Sequence, residues 1–328
     1  MSEAPKVGLD GYSLTGPTGR EICERDVFVM LRKVKELGGD GLQASVPDDP
    51  GELGEAFDLA AELGLYLEPY AQLPVHWRGD AEVIERRRAK LRVLCEACAE
   101  RGIHAMHCSV GARERFEDLE RWKRFVAVTA DCVGELAPML RDHGVRLGVE
   151  NHWDFTTYEI IEIAERAGRD VVGVGLDTGN LPILAEAPDR GVERSAPYAV
   201  TLQLKDVYLF TAPRGAARPV VPSGQGQIGL AEAVRKLRQQ NPSLNFTVED
   251  HSVIYNVDYF EPSWLEAVPE LSAYDVATTA RLASEGDRWL REHLVPDPHA
   301  AELVPWSIRG PDRLKADILA VRKMLADA

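Results

Sequence analysis

The chain has 328 residues, of which 45% are hydrophobic and 28% charged; it can bury a large core and is neither collagenous nor compositionally disordered. Its 38 lysines and arginines are outweighed by 53 aspartates and glutamates, and the net charge of −15 repels nucleic-acid phosphates. No run of about 20 apolar residues marks a membrane span, Met1-Ser2-Glu3-Ala4-Pro5-Lys6 lacks the basic and apolar parts of a leader, and five cysteines, an odd number, fit reduced thiols, so a cytoplasmic protein is expected.

Taken in chain order, short apolar or β-branched runs alternate with helical patterns. A strand over residues 6–12 comes first. Asp26 then N-caps a helix over Val27–Leu37, where Val27, Met30, Leu31, Val34 and Leu37 form one apolar stripe before Gly38-Gly39 ends it. Strands follow over 40–45, 65–69, 104–109, 146–151, 171–178, 199–206 and 245–250, with helices within 53–63, 81–101, 119–143, 158–167 and 231–239. Eight strands with intervening helices predict an α/β fold, a single (β/α)8 TIM barrel of parallel strands. A doubly wound sheet would carry a glycine fingerprint after Leu9, and none is there. Residues 207–229 hold prolines and glycines without steady periodicity and read as a long loop. Helices over 277–294 and 311–326 divide the chain into a barrel, 1–260, and a long C-terminal helical extension, 261–328, packed on the barrel or on a partner. Cys95 and Cys98 have redox spacing but lie within a helical pattern, so they read as buried thiols.

In such a barrel the chemistry collects where the strands finish. Glu150, Asp177, Gln203 and Glu249 each sit next to apolar strand residues near these ends, so each points into the mouth, away from its Val or Leu neighbour. Three carboxylates forced together repel one another, and a bound divalent cation relieves the repulsion. An all-oxygen set suits Mn²⁺ or Mg²⁺. The competing reading makes them ordinary mouth acids paired with Lys205 or Arg146.

The runs Gly148-Val149-Glu150-Asn151-His152, Gly175-Leu176-Asp177-Thr178-Gly179-Asn180, Leu204-Lys205-Asp206 and Thr247-Val248-Glu249-Asp250, with the glycine-rich segment from Val221 to Ile228, resemble the xylose isomerase-like barrel superfamily in its sugar phosphate isomerase and epimerase branch. The resemblance implies a metal at Glu150, Asp177, Gln203 and Glu249 and formation of an enediolate on a keto sugar. Two departures stand out: Gln203 replaces the family's usual His, and Asn180 stands where His is common. In the first departure and in the long C-terminal extension the chain is similar to the larger, catalytic subunit of bacterial C-glycoside deglycosidases, which cleave the carbon–carbon bond of 3-oxo-glucosides alongside a small β-rich subunit. The expected partners are therefore a sugar or glycoside and, in a homo-oligomer or a complex, a second copy or a small subunit.

For the proton transfers, Glu150 and Glu249 are candidates on opposite faces of the substrate, and His152, two residues beyond Glu150, is a further base. Lys205, His107, Trp153, Asn180 and His251 are candidate substrate contacts, and Trp153, Phe155 and Tyr12 offer aromatic surface. The alternatives are a metal-free barrel serving as a binding or scaffold subunit and, against the charge, an apurinic endonuclease-like nuclease.

Overall fold

The computed structural model describes residues 5–16, 21–110 and 114–328. Met1 to Ala4, part of the segment inspected for a leader, lie outside the described residues. The barrel strands are β1 (Val7–Asp10), β2 (Gly41–Ala44), β3 (Tyr66–Gln72), β4 (Ala105–Ser109), β5 (Arg146–Glu150), β6 (Val172–Asp177), β7 (Ala199–Gln203) and β8 (Phe246–Val248). From β1 to β7 each pairs in parallel with the next, and β8 pairs in parallel with β1. Between β7 and β8 the ring closes through Leu204, whose N–H donates to the Thr247 carbonyl at 2.7 Å and whose carbonyl accepts from Glu249 N–H at 3.1 Å. All eight predicted strands are present, with ends shifted by a few residues. The first stops at Asp10, which N-caps a short helix, Gly11–Thr15, through the Tyr12 N–H at 2.7 Å.

The outer helices are α1 (Val27–Leu37), α2 (Pro50–Glu62), α3 (Ala81–Glu100), α4 (Leu119–His143), α5 (Thr157–Ala167), α6 (Pro188–Ser195), α7 (Leu230–Gln240) and α8 (Trp306–Ala326). Local signals explain their starts. Asp26, Asp49, Asp80 and Asp118 accept first-turn N–H groups, and Thr156 with Glu159 makes a reciprocal capping box. At the floor of the barrel Tyr66 fills space that glycines leave free: a Cβ on Gly41 would stand 2.1 Å from its ring. The Tyr66 hydroxyl shares a 2.9 Å hydrogen bond with the Thr247 hydroxyl. Cys95 and Cys98 are buried within α3, and burial pushes both thiols up to about 12, which leaves them unreactive packing groups. Among the described residues no helix is long and apolar enough to cross a membrane.

Residues 207–229 are not the loop that the sequence suggests. They hold the strands Phe210–Ala212 and Gly215–Val221, the second pairing antiparallel with the first, with Asp206–Val207 and with Ile254–Val257. Every residue of Gly215–Val221 is buried, so the alternation that betrays a half-exposed strand is missing, and Pro219 and Pro222 further disguise it.

The closing helix α8 lies against α7, α1, β1 and β8, in the place of the eighth outer helix of the ring. Residues 251–305 are therefore inserted between the last strand and the helix that covers it, and residue 261 falls inside that insertion. Trp306 is fully buried and donates its Nε1–H to the Ser13 carbonyl at 2.7 Å. Arg313 grips Asp250 with two hydrogen bonds, and Asp317 accepts the Ser223 N–H at 2.7 Å. Trp306→Ala is expected to lower unfolding free energy by about 3–5 kcal/mol, the range for a large buried aromatic. Denaturant unfolding checks it, and a loss below about 1 kcal/mol would show that α8 is not anchored there.

Candidate functional site

The mouth cavity has a volume of about 320 Å³ and is lined by Asp10, Tyr12, Tyr70, Glu150, His152, Trp153, Asn180, Gln203, Lys205, Glu249, His251 and Tyr255. The backbone sets this convergence. Asn151, the residue after β5, donates its Nδ2–H to the Asp177 carbonyl at 3.0 Å and accepts the Asp177 N–H at 2.9 Å, locking the ends of β5 and β6 together. Asp177 then N-caps the helical turn Thr178–Leu184, accepting the N–H groups of Gly179 at 2.9 Å and Asn180 at 3.2 Å. That turn brings the Asn180 Nδ2–H to Glu150 at 3.1 Å.

Glu150, Asp177 and Glu249 each present an oxygen within 4.8 Å of the others. Lys205 sits among them. Its ammonium lies 2.6 Å from Asp177, 2.7 Å from Glu249 and 3.4 Å from the Asn180 amide oxygen. Gly179 lets the lysine stem pass, since a Cβ there would stand 2.7 Å from Lys205 Cγ. The ion pairing read as an alternative from the sequence is thus present for two of the three acids.

Gln203 faces the same cavity. Its Nε2 donates to the Tyr70 hydroxyl at 2.7 Å and to Asp10 at 3.2 Å, while Tyr70 donates to the same Asp10 carboxylate. The orientation leaves the Gln203 amide oxygen buried without a partner.

Electrostatics separate the acids. Burial raises Glu150, and the Glu249 charge adds to this. Burial also raises Asp10 and Asp177, the latter against the pull of Lys205. Burial works to raise Glu249 too, but the Lys205 ammonium and His251 outweigh it and hold that carboxyl well below the usual range. Lys205 responds in kind: burial opposes its charge, and Asp177 and Glu249 more than compensate. Burial, together with the Lys205 charge, brings His152 down to about 3, so its imidazole is neutral at neutral pH.

Most residues singled out in the sequence meet at this cavity, and three do not line it. Asp177 is fully buried behind the mouth, held by Lys205 and by the N–H groups of Gly179 and Asn180. His107 lies beneath it, sharing hydrogen bonds with Thr201 at 2.9 Å and Glu150 at 3.4 Å, and so props Glu150 from behind. Phe155 is wholly buried against Trp122 and Phe125 and offers no surface to a ligand, because it closes the layer between α4 and the barrel. His251 lies 3.2 Å from Glu249 and meets Tyr12 edge-on at 5.0 Å. Sequence reading missed Asp10, Tyr70 and Tyr255. Asp10 carries the same signal as the others, an acid closing an apolar strand, but the strand predicted over residues 6–12 runs past it and hides that signal.

A second cavity of about 360 Å³ adjoins the first and shares Trp153 and Tyr255 with it; Phe116, Ile183, Leu184 and Trp264 supply its apolar wall. Phe116 and Trp264 stack at 5.8 Å.

A family model described as xylose isomerase-like TIM barrel matches residues 31–291. No curated protein matches the sequence. Solved structures share the fold. A xylose isomerase-like TIM barrel protein from Mycobacterium smegmatis in complex with magnesium is 17% identical, with a TM-score of 0.58 over 86% of this chain and 100% of that one. D-psicose 3-epimerase from Clostridium cellulolyticum H10, with D-tagatose, is 17% identical at a TM-score of 0.55, covering 87% of this chain and 98% of that one. The IOLI protein, with a bound zinc atom, is 17% identical at a TM-score of 0.54, covering 85% and 98%.

Proposed function

Since this chain belongs to the xylose isomerase-like TIM barrel family, we propose that it is a divalent-metal-dependent enzyme that moves a proton beside the carbonyl of a keto sugar or 3-oxo-glycoside. The carrying observation is the cluster itself. Three carboxylates lie within 4.8 Å with Asp10 near them, against the single Lys205 ammonium in their midst, so negative charge exceeds what that ammonium balances. The buried, unpartnered amide oxygen of Gln203 supplies a fourth oxygen donor on the same cavity. Glu150, Asp177, Gln203 and Glu249 therefore fit Mn²⁺ or Mg²⁺. Such an ion, when bound, polarises a substrate carbonyl and makes the neighbouring C–H more acidic.

The chain's own groups do the rest. Glu249, kept ionised by Lys205 and His251, accepts a proton from one face of the substrate carbon. Glu150, on the same cavity, is placed to return one from the other face. His152, neutral and on the cavity wall, is positioned to relay a proton to a substrate hydroxyl or a leaving group. Lys205 and Asn180 orient substrate oxygens.

A second reading, carbon–carbon cleavage of a 3-oxo-glycoside, is favoured by the adjoining aromatic-walled cavity, which has room for an aryl group beside a sugar in the mouth. Incubation with keto sugars and 3-oxo-glycosides in D₂O with Mn²⁺ tests both. Solvent deuterium at the α-carbon is expected, with a rearranged sugar for the first reading and a released aglycone for the second. Metal analysis should find about one ion per chain, lost in Asp177→Asn. Absence of exchange with every substrate, together with a metal-free protein, would refute the proposal.

A further inference from the structure

Gln203 closes β7 beside Asp177, its direct partner on β6. A side-chain amide carries a donor and an acceptor of nearly the same shape, so the groups that meet one end decide which of the two is left at the other. Here two residues from distant strands meet it. Asp10 ends β1 and Tyr70 lies on β3, and both line the mouth.

Their hydrogen bonds run in one sense. One oxygen of the Asp10 carboxylate accepts the Tyr12 N–H at 2.7 Å, as cap of the short helix after β1. The other accepts the Tyr70 hydroxyl proton and, at 3.2 Å, a Gln203 Nε2–H. Tyr70 has a single proton and gives it to Asp10, so its oxygen is left to accept, and it takes the second Gln203 Nε2–H at 2.7 Å. Asp10 and Tyr70 thus offer the amide acceptors alone. Turning Gln203 over would set its oxygen against two oxygens with no proton between them, and with Gln203 and Asp10 2% and 0% exposed, water cannot make good that loss. The amide oxygen is left buried and without a partner.

We propose that Asp10 and Tyr70 are positioning residues that fix the polarity of the Gln203 amide, so that its oxygen and not its nitrogen is the atom offered to the metal. The inference rests on the metal reading of the mouth and adds how a neutral side chain is made to serve there as an oxygen donor. An unrestrained amide would present its NH₂ group, which repels a cation, as readily as its oxygen. The effect of Tyr70 on the ion passes through Gln203.

Calorimetric titration with Mn²⁺ of the full chain, Tyr70→Phe, Gln203→Ala and the double variant, each first stripped with EDTA, tests this without any turnover. Tyr70→Phe deletes one neutral hydroxyl and is expected to weaken Mn²⁺ binding about tenfold, the lower end of the range for groups that orient a metal ligand. Gln203→Ala should weaken it at least as much. Adding Tyr70→Phe to Gln203→Ala should weaken it no further, because the hydroxyl then has no amide to orient. A merely structural tyrosine would lower affinity by the same factor in both backgrounds. That result overturns the proposal, as does unchanged affinity in Tyr70→Phe. Should Tyr70→Phe fail to fold by circular dichroism, Asp10→Asn decides: with its oxygen on the Tyr12 N–H, the new amide turns donors toward Tyr70 and Gln203 and reverses the order of the bonds. Mn²⁺ binding should then weaken more in the wild-type background than in Gln203→Ala, and an equal loss in both overturns the proposal. A wild type that binds no Mn²⁺ overturns this inference together with the metal reading. Deuterium exchange on a keto sugar with no coupling between the variants removes this inference alone, and the expected coupling without exchange on any sugar removes the proton-transfer reading alone.

Discussion

Glu249→Gln is expected to slow exchange of the substrate α-proton with solvent by about 10²–10⁴-fold, the usual contribution of a positioned general base. The carboxylate follows β8 and is ionised by its neighbours, with Lys205 at 2.7 Å and His251 at 3.2 Å. An amide of the same shape cannot accept the proton. Glu150→Gln should be comparably slow, but through the opposite step, the return of a proton to the substrate carbon. Deuterium incorporation from D₂O, read by mass spectrometry at matched metal occupancy, distinguishes this loss from simple loss of the ion. An unchanged exchange rate in Glu249→Gln with the metal still bound would remove Glu249 from the chemistry.

Lys205→Met should cost about 3–5 kcal/mol of stability in metal-free protein, the range for breaking a buried ion pair by deleting one partner. Lys205 is 2% exposed and bridges Asp177 and Glu249, so its removal leaves two carboxylates facing each other and Glu150 across less than 5 Å. The charge can be relieved in two ways. A divalent ion can take the place of the ammonium, and urea unfolding with Mg²⁺ should then recover much of the loss seen in EDTA. Alternatively the acids take up protons. Carboxyls raised in the folded state bind protons more tightly there than in the unfolded chain, so the variant should be most stable at low pH and lose stability as pH rises through their folded range. Equal stability of variant and wild type in EDTA would show that Lys205 is not what holds these acids together.

Much of the site was legible because β5, β6 and β7 end on an acid or amide that follows an apolar residue, Glu249 directly follows β8, and a period of two turns such a residue away from its apolar neighbour. Glu150, Gln203 and Glu249 follow that rule and line the cavity, and Asp177, buried behind it, presents an oxygen to Glu150 and Glu249. Pairing between distant segments was not legible. Arg218 faces Tyr255 only because two strands far apart in sequence run antiparallel, and one of them, Gly215–Val221, is buried throughout, which erases its alternation. His107 reads from the sequence like any other mouth histidine; only its neighbours Thr201 and Glu150 show that it lies one layer down. For α8 the obstacle is Pro311, a residue type that favours a helix start, whereas Trp306 begins the helix and the proline is carried within.

The position of α8 also dictates an order of events during synthesis. The last barrel strand emerges from the ribosome well before the helix that covers it, with the whole insertion of residues 251–305 translated in between. Until α8 arrives, the apolar seam between the first and last strands stays open to water, and Asp250 lacks the arginine that neutralises it. The nascent chain therefore passes through a sticky, incompletely covered stage, and its yield in cells should respond to chaperone supply more than the stability of the finished protein would suggest.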